Sequence, residues 1–362
     1  MKMVFFYIFL FFVFTFFALV IVLARNFGKV PTGDYGNLSY YRNGRFIAPE
    51  PLPYTFKREI PNEKFSFFSL FFKSKNAPKD KLPTVKPTFA EKPSDFAIFW
   101  LGHSNTILEL DGKRLIIDPV FENAGPVPFV VSRYVKSPVK RKDLPHIDYV
   151  VLTHNHYDHL ERETVQKFRK TDTKFIAPLG VADALIGWGI ERDNIIELGW
   201  EENFVDDSLS FTFLPSIHFS GRSYNDWNKT LWGSYIIKSK DKSIFWGGDG
   251  GYGKHFAEYG KKYGKFDIVA LEIDGWNENW ADIHMFPNEV IKTAKDLNSE
   301  YVLPIHWAVF DLAMHPWKES INYVVNEANK NDIKLITPKI GEKVDESNFK
   351  DFINNNWWKD YK

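Results

Sequence analysis

The sequence predicts an α/β fold in which two packed sheets carry helices on their outer faces, preceded by one membrane-spanning helix. Three observations lead there. Met3 to Ala24 is an uncharged run of 22 residues. From Asp95 onward, short apolar runs first follow one another as hairpins and later alternate with helical segments, the pattern of two sheets enclosed by helices. Several of those runs end in a His or an Asp, which sets potential metal ligands along one edge of the sandwich.

At about 1.5 Å per residue the N-terminal run spans about 33 Å, enough for the hydrocarbon core of a bilayer. It exceeds the apolar region of a secretory signal, roughly 7–15 residues. An uncleaved single-pass anchor over residues 1–25 is therefore expected, although Val22-Leu23-Ala24 offers a weak cleavage site. The basic residues near its ends, Lys2 against Arg25, Lys29, Arg42 and Arg45, favour a cytoplasmic body. A short N-terminal tail held inside gives the opposite orientation, so the side of the membrane stays open.

Residues 26–94 are rich in Pro and Gly and are read as an extension that packs on the following domain or links to it. Within it, Phe65-Ser66-Phe67-Phe68-Ser69-Leu70-Phe71-Phe72 is a dense apolar patch, followed by Lys73, Lys75, Lys79, Lys81 and Lys86. The patch is either an arm covering the main domain or a surface that dips Phe into lipid while Lys holds anionic head groups.

Residues 95–345 form the catalytic body. Strands are expected at Phe96–Trp100, Thr106–Leu110 and Arg114–Asp118, with Asp111-Gly112 as a tight hairpin turn. Further strands are expected at Tyr149–Leu152, Lys174–Ala177, Ile195–Leu198, Ser210–Leu214, Ser234–Lys238, Ser243–Trp246, Ile268–Ile273, Tyr301–Ile305 and Lys334–Thr337. Helices are expected near Glu161–Lys170, Gly180–Gly187, Lys254–Tyr263, Pro287–Asn298 and Glu319–Lys330; Pro287 suits a helix N-terminus. Residues 346–362 are read as a C-terminal tail.

Composition narrows the function. The 46 basic and 46 acidic residues balance, so no general basic field exists to hold nucleic acid. Cysteine is absent, which excludes disulfides, thiolate ligands and a Cys nucleophile.

The stretch Thr153-His154-Asn155-His156-Tyr157-Asp158-His159-Leu160 carries the chemistry. It directly follows an apolar strand and offers three imidazoles and a carboxylate, the ligand types of zinc and related metals. Only ten His occur in the chain, so three within six positions are not a chance cluster. Three more candidates stand at strand ends: His218 after Pro215-Ser216-Ile217, Asp249 inside Gly247-Gly248-Asp249-Gly250-Gly251, and His306 after Tyr301–Ile305. His146, His255 and His315 are read as surface or rim residues.

This constellation resembles the metallo-β-lactamase superfamily, whose signature is His-x-His-x-Asp-His followed by a His, an Asp and a His. The resemblance covers about residues 95–345 and implies a four-layer αββα sandwich. It leans toward the branch of N-acyl-phosphatidylethanolamine-hydrolysing phospholipase D and L-ascorbate-6-phosphate lactonase. The text behind that is Trp100-Leu101-Gly102-His103-Ser104, Asp118-Pro119, Leu231-Trp232-Gly233-Ser234, His284-Met285-Phe286-Pro287 and Pro304-Ile305-His306-Trp307. The resemblance implies two zinc ions, one on His154, His156 and His218, the other on Asp158, His159 and His306, bridged by Asp249. A hydroxide between the metals would then be the nucleophile, with Asp158, Asp249 and His284 as catalytic residues. His284 would bind substrate or donate a proton to the leaving group, and His103 and Asp118 would orient ligands. Trp227, Trp276, Trp280 and Trp307, with Trp317, are candidates for an apolar substrate pocket.

The chain departs from the branch at Asp274-Gly275-Trp276-Asn277-Glu278-Asn279-Trp280-Ala281, at Gly250 where Thr is usual, and at Ala308-Val309 where Gly-Thr is usual. These departures bear on the substrate. The expected function is a membrane-anchored zinc phosphodiesterase of phospholipase D type acting on membrane phospholipid, with a homodimer as a candidate assembly. The alternatives are a hydrolase of a soluble phosphorylated lactone or other ester, and a non-catalytic module that binds lipid or a partner.

Overall fold

The apolar N-terminal run forms one helix, α1 (Lys2–Phe27). Residues Met3–Phe27 are long and apolar enough to cross a membrane, and the apolar stretch makes no buried contact with the rest of the chain. The computed structural model describes residues 2–49, 74–127, 130–206 and 208–362. The Phe65–Phe72 patch and Lys73 lie outside the described residues.

A small hairpin, β1 (Tyr41–Arg42) and β2 (Arg45–Phe46), precedes the body. The body opens with three antiparallel neighbours, β3 (Phe96–Trp100), β4 (Thr106–Leu110) and β5 (Lys113–Ile117). At the turn between the last two, Asp111 and Gly112 both have positive φ, 46° and 73°, as a two-residue hairpin requires. Parallel strands β6 (Tyr149–Val151), β7 (Lys174–Pro178) and β8 (Ile195–Leu198) follow, with α2 (Arg162–Lys167) and α3 (Ala182–Gly187) as crossovers.

The second sheet repeats this plan. The antiparallel part is β9 (Asn203–Asp206), β10 (Leu209–Leu214), β11 (Ser234–Lys238) and β12 (Ser243–Trp246). The helices α4 (His255–Tyr263), α5 (Pro287–Asp296) and α6 (Glu319–Lys330) then separate the parallel strands β13 (Ile268–Glu272), β14 (Tyr301–Ile305) and β15 (Lys334–Leu335). The last strand, β16 (Lys343–Asp345), returns beside β3. Each sheet thus has seven strands.

Alternation along the strands divides the core. Ile98 and Trp100 of β3 join the large cluster that includes the second sheet, whereas Ala97 and Phe99 join a separate cluster with Val165, Phe168 and Leu185 around α2 and α3. Successive side chains point to opposite faces of a strand, and both faces of this sheet are covered. The result is the expected αββα sandwich. The expected elements appear with ends shifted by a few residues; β9, β16 and the β1–β2 hairpin are additional. Trp307 and Trp317 are corrections to the pocket reading. Trp307 is buried, stacked on Trp100 at 5.2 Å and close to Trp357 and Trp358, and Trp317 is likewise buried. Trp307 is a core residue because Trp357 and Trp358 of the C-terminal segment pack against it, and Trp317 belongs to the same core cluster.

One cross-strand pair in the core is ionic. Arg114 and Glu109, directly opposite on β5 and β4, are both about fully buried. Arg114 Nε donates to Glu109 Oε1 at 2.7 Å and its terminal nitrogens to the carbonyls of His146 and Ala90; Glu109 Oε2 accepts from Ser94 N–H. Removing one partner strands the other charge. Arg114→Met is expected to lower unfolding free energy by about 3–5 kcal/mol, measured by urea unfolding in detergent, and the double change with Glu109→Leu to recover most of that loss.

His255 corrects a second expectation: at the start of α4 it is buried, not on the rim, and neither ring nitrogen has a hydrogen-bond partner. Burial pulls its pKa down to about 4. A depressed folded-state pKa means stability that is complete above the unfolded value near 6.5 and declines as pH falls toward 4. His255→Phe is therefore expected to lose less stability than the native chain between pH 7 and pH 4.5, by roughly 2 kcal/mol, in parallel denaturation curves.

Candidate metal centre

Strand direction gathers the site. Strands β3, β5 and β6 run parallel to one another across the first sheet, as do β10, β12, β13 and β14 across the second, by the pairings given above. The residues that follow them therefore meet at one edge of the sandwich: His103, Asp118 and the 153–160 loop from one sheet, His218, Asp249, Asp274 and His306 from the other. Chain reversals at this edge use positive φ at His103 (54°), Asp118 (44°) and His306 (67°).

Two groups of candidate ligands result. In the first, His156 Nδ1 lies 2.9 Å from His154 Nε2 and 3.3 Å from His218 Nε2. In the second, Asp158 Oδ2 lies 3.3 Å from both His159 Nε2 and His306 Nε2. Asp249 Oδ2 stands between them, 3.9 and 3.8 Å from His154 and His218, 3.2 and 3.1 Å from His159 and His306. All seven residues proposed as ligands from the sequence are brought together.

The far nitrogens of four imidazoles are held. His159 Nδ1 meets Asp118 Oδ2 at 2.9 Å, His218 Nδ1 meets the Ile283 carbonyl at 3.0 Å, and His306 Nδ1 meets the Asp274 carbonyl at 3.2 Å. His154 Nδ1 lies 3.0 Å from Thr153 Oγ1, which itself donates to Asp118 Oδ2. A proton committed to Nδ1 leaves the Nε2 lone pair facing the centre, the arrangement that orients metal-binding histidines. The centre tests positive for a cation on its own atoms: His159 Nε2, His306 Nε2 and Asp249 Oδ1 are buried and have no hydrogen-bond partner. Buried polar atoms left unpaired in this way are costly in a native interior.

Charge divides along the same line. Burial and neighbouring imidazoles hold His154 well below the ordinary histidine range; burial holds His218 well below it and pulls His156 to about 4. These rings are neutral, as ligation requires. Burial also opposes charge on His159 and His306, but the Asp249 and Asp158 carboxylates lift both well above the usual range. The two carboxylates stay ionised against burial, drawn down by His159 and, for Asp249, also by His306.

Other groups surround this pair of sets. His103 Nε2 contacts Asp158 Oδ2 at 3.0 Å and has its pKa pushed down to about 3 by burial. His284 sits with its ring 5.2 Å from that of His218 and 5.5 Å from that of His306, and its Nδ1 lies 2.6 Å from Glu272 Oε2. Glu272, at the end of β13, also accepts from Gly250 N–H. Gly275 (φ 92°) makes room: a Cβ there would stand 3.0 Å from His284 Nδ1 and 3.1 Å from His306 Cε1. Trp280 Nε1 donates to the Gly275 carbonyl, Trp276 stacks on His315 at 4.6 Å, and Trp227 stacks on Phe219, which touches the His156 and His218 rings. These three tryptophans flank the centre. His315 is half-buried and paired with Asp274 at 3.0 Å, so it belongs to the site's wall; His146 is exposed, as expected.

Glu272, Thr153 and Arg222 were not singled out from the sequence. A carboxylate at the end of the apolar run Ile268–Ile273 was a usable signal for Glu272. Arg222 carried none: it is buried, and its Nη1 donates to the carbonyls of Asn155 (2.8 Å) and Leu160 (2.7 Å) in the ligand loop.

With this geometry in view, likeness to known proteins is decisive. The beta-lactamase superfamily domain matches residues 113–307. The chain belongs to that superfamily. As a superfamily member it is 35% identical over 314 residues to an uncharacterised protein of Mycobacterium tuberculosis, covering 84% of each chain. It is 30% identical over 264 residues to N-acyl-phosphatidylethanolamine-hydrolyzing phospholipase D 1 of Caenorhabditis elegans, covering 66% of this chain and 73% of that one. A metallo hydrolase of Ignicoccus hospitalis shares the fold with a TM-score of 0.54 at 21% identity, over 69% of this chain and 97% of that one. The protein is a metal-dependent hydrolase of the metallo-β-lactamase fold.

Asp118 gives a test independent of turnover. Asp118→Asn retains the shape but weakens its grip on the His159 Nδ1 proton, and is expected to lower metal affinity by about 10–100-fold in chelator competition. His156→Ala and Asp249→Ala are expected to reduce the metal recovered with the purified protein, read by elemental analysis, with the fold retained.

Proposed function

We propose that the protein is a membrane-anchored, zinc-dependent phosphodiesterase of phospholipase D type, acting on N-acyl-phosphatidylethanolamine-like phospholipids. Residues 1–25 would be the anchor and 95–345 the hydrolase body. The observation that carries this reading is that two three-residue ligand sets share one buried carboxylate, Asp249, at the same edge of the sandwich that receives the end of α1. The resemblance to the C. elegans phospholipase supports the substrate class. Exposed Tyr224, in the loop that carries Arg222, is 93% accessible and suits an interfacial aromatic.

His154, His156 and His218 would hold one zinc, and Asp158, His159 and His306 the other, with Asp249 between them. When bound, the metals supply Lewis acidity that lowers the pKa of water and offsets charge developing on the phosphodiester. His103 and Asp118 keep Asp158 and His159 aimed inward. His284 would manage the leaving group. Burial opposes its charging, but Glu272 raises its pKa; with Nδ1–H given to Glu272, the proton on Nε2 is the one available to the departing alcohol oxygen. Trp227, Trp276 and Trp280 offer apolar walls for an acyl or head-group portion.

Detergent-solubilised protein incubated with a panel of phospholipids is expected to release N-acylethanolamine and phosphatidic acid from N-acyl-phosphatidylethanolamine, detected by mass spectrometry, and to stop on addition of a chelator. His284→Ala is expected to lower kcat by about 100-fold or more with metal content unchanged. Cleavage of soluble phosphorylated lactones or diesters, with those lipids untouched, would replace this reading by the soluble-ester one.

A further inference from the structure

Every α-helix ends with four carbonyls that lack intrahelical partners, and two of those at the end of α1 are met by the hydrolase body. Trp188 Nε1 donates to the Arg25 carbonyl at 3.0 Å. Arg222 donates to the Asn26 carbonyl through Nη2 at 3.0 Å and Nε at 3.3 Å. The Asn26 side chain adds contacts of its own, to the Pro126 carbonyl at 2.8 Å and to Arg162 at 3.4 Å, and Lys29 pairs with Asp183 at 2.7 Å. The helix end is seated, not tethered.

The same guanidinium reaches the metal centre. While one edge of Arg222 binds Asn26, Nη1 binds the Asn155 and Leu160 carbonyls, which bracket His156, Asp158 and His159. Its carbon lies 3.9 Å from the centre of the Tyr157 ring, and the Tyr157 hydroxyl donates back to the Arg222 carbonyl at 3.0 Å. Asp226 fixes the Arg222 backbone by accepting its N–H at 3.0 Å. No carboxylate of the described residues pairs with the guanidinium, so its hydrogen bonds go to backbone carbonyls of the two segments it joins. A buried arginine satisfied this way is a rigid fork between them, and a cation at a helix C-terminus is favoured by the helix dipole.

We propose that Arg222 is a positioning residue that couples the seat of α1 to the ligand loop 155–160, so that docking of the helix end sets the geometry and affinity of the metal centre. This rests on the metal-centre reading but not on the phospholipid one. It makes α1 part of the enzyme's working structure as well as its attachment to a bilayer.

The test is a cycle on the full-length protein in detergent. Arg222→Met removes the fork. Asn26→Ala together with Trp188→Phe loosens the helix seat without removing any group that touches the ligand loop. Zinc affinity is read by chelator competition, and ligand geometry by the visible absorption of the cobalt-substituted protein, with circular dichroism confirming the fold. Arg222→Met is expected to weaken zinc binding by about 10-fold, in the range of residues that orient ligands, and to change the cobalt spectrum. The seat-loosening pair is expected to weaken zinc by about 3-fold when Arg222 is present and by less than about 1.5-fold in the Arg222→Met background, a failure of additivity that reports coupling. Arg222→Lys, which keeps the cation but not the fork, is expected to fall between the native protein and Arg222→Met, and serves in its place should that variant not fold. Equal effects of the pair in both backgrounds, or an unchanged affinity and cobalt spectrum on loss of the fork, would overturn the coupling. A native protein that binds no zinc or cobalt would instead overturn the metal-centre reading beneath it.

Discussion

Asp249 is sealed between two groups of imidazoles, and the neighbouring carboxylates Asp118, Asp158, Glu272 and Asp274 are buried or nearly so. Moving even one carboxylate out of water costs several kcal/mol unless opposite charge accompanies it. Here the imidazoles nearest His156 are neutral, so protons on histidine offset only part of the negative charge. Bound metal would complete the balance, and three features of the centre suit that need. The Nε2 atoms of His154, His159, His218 and His306 converge with Nδ1 of His156, the Nδ1 atoms of those four are committed elsewhere, and Asp249 Oδ1 has no other partner.

Such convergence needs two rigid supports. A single sheet presents its strand ends in a line about 4.8 Å apart, too linear to enclose an ion. Two sheets packed face to face bring two lines together, and Asp249 from one faces the His154–His159 loop from the other. The cost is backbone strain at the edge, where His103, Asp118 and His306 take positive φ. Ala308 does so too, at 66°, which explains why glycine is the residue usual there. Each such residue costs on the order of 1 kcal/mol, borne by cores on both faces of the first sheet.

Much of this was legible in the chain. Strands such as Ile268–Glu272 announce themselves by apolar runs too short for helices, and the ligands by their place directly after those runs. The elements that escaped lack that signal: β9 is short and largely accessible, and β16 contributes one buried residue, Val344, between two polar ones. Trp307 was misassigned because a tryptophan next to a ligand histidine suggests a pocket, whereas stacking on Trp100 and packing of residues 357–358 depend on contacts far apart in sequence. Glu272 and Arg222 escaped for the same reason. Glu272 could be noticed as a carboxylate ending an apolar run, but its role, like that of Arg222, shows only when its partner, His284 or Asn26, is known.

The seat of α1 adds a mechanical consequence. An apolar helix on a flexible linker would leave its last carbonyls to water at little cost, and the body could turn freely beneath the bilayer. Arg222 and Trp188 spend buried donors on those carbonyls instead, which favours one seating of the body on the helix end. On the proposed phospholipid reading, the substrate head group is itself confined to the interfacial plane. An enzyme mounted rigidly beside that plane has fewer orientations to lose when it engages the scissile ester, and lost orientation is a large part of the barrier to any bimolecular encounter. The helix seat and the 155–160 loop share one guanidinium, so in the proposed enzyme the distance between membrane surface and metal centre would be set by the same hydrogen bonds that brace the candidate ligands.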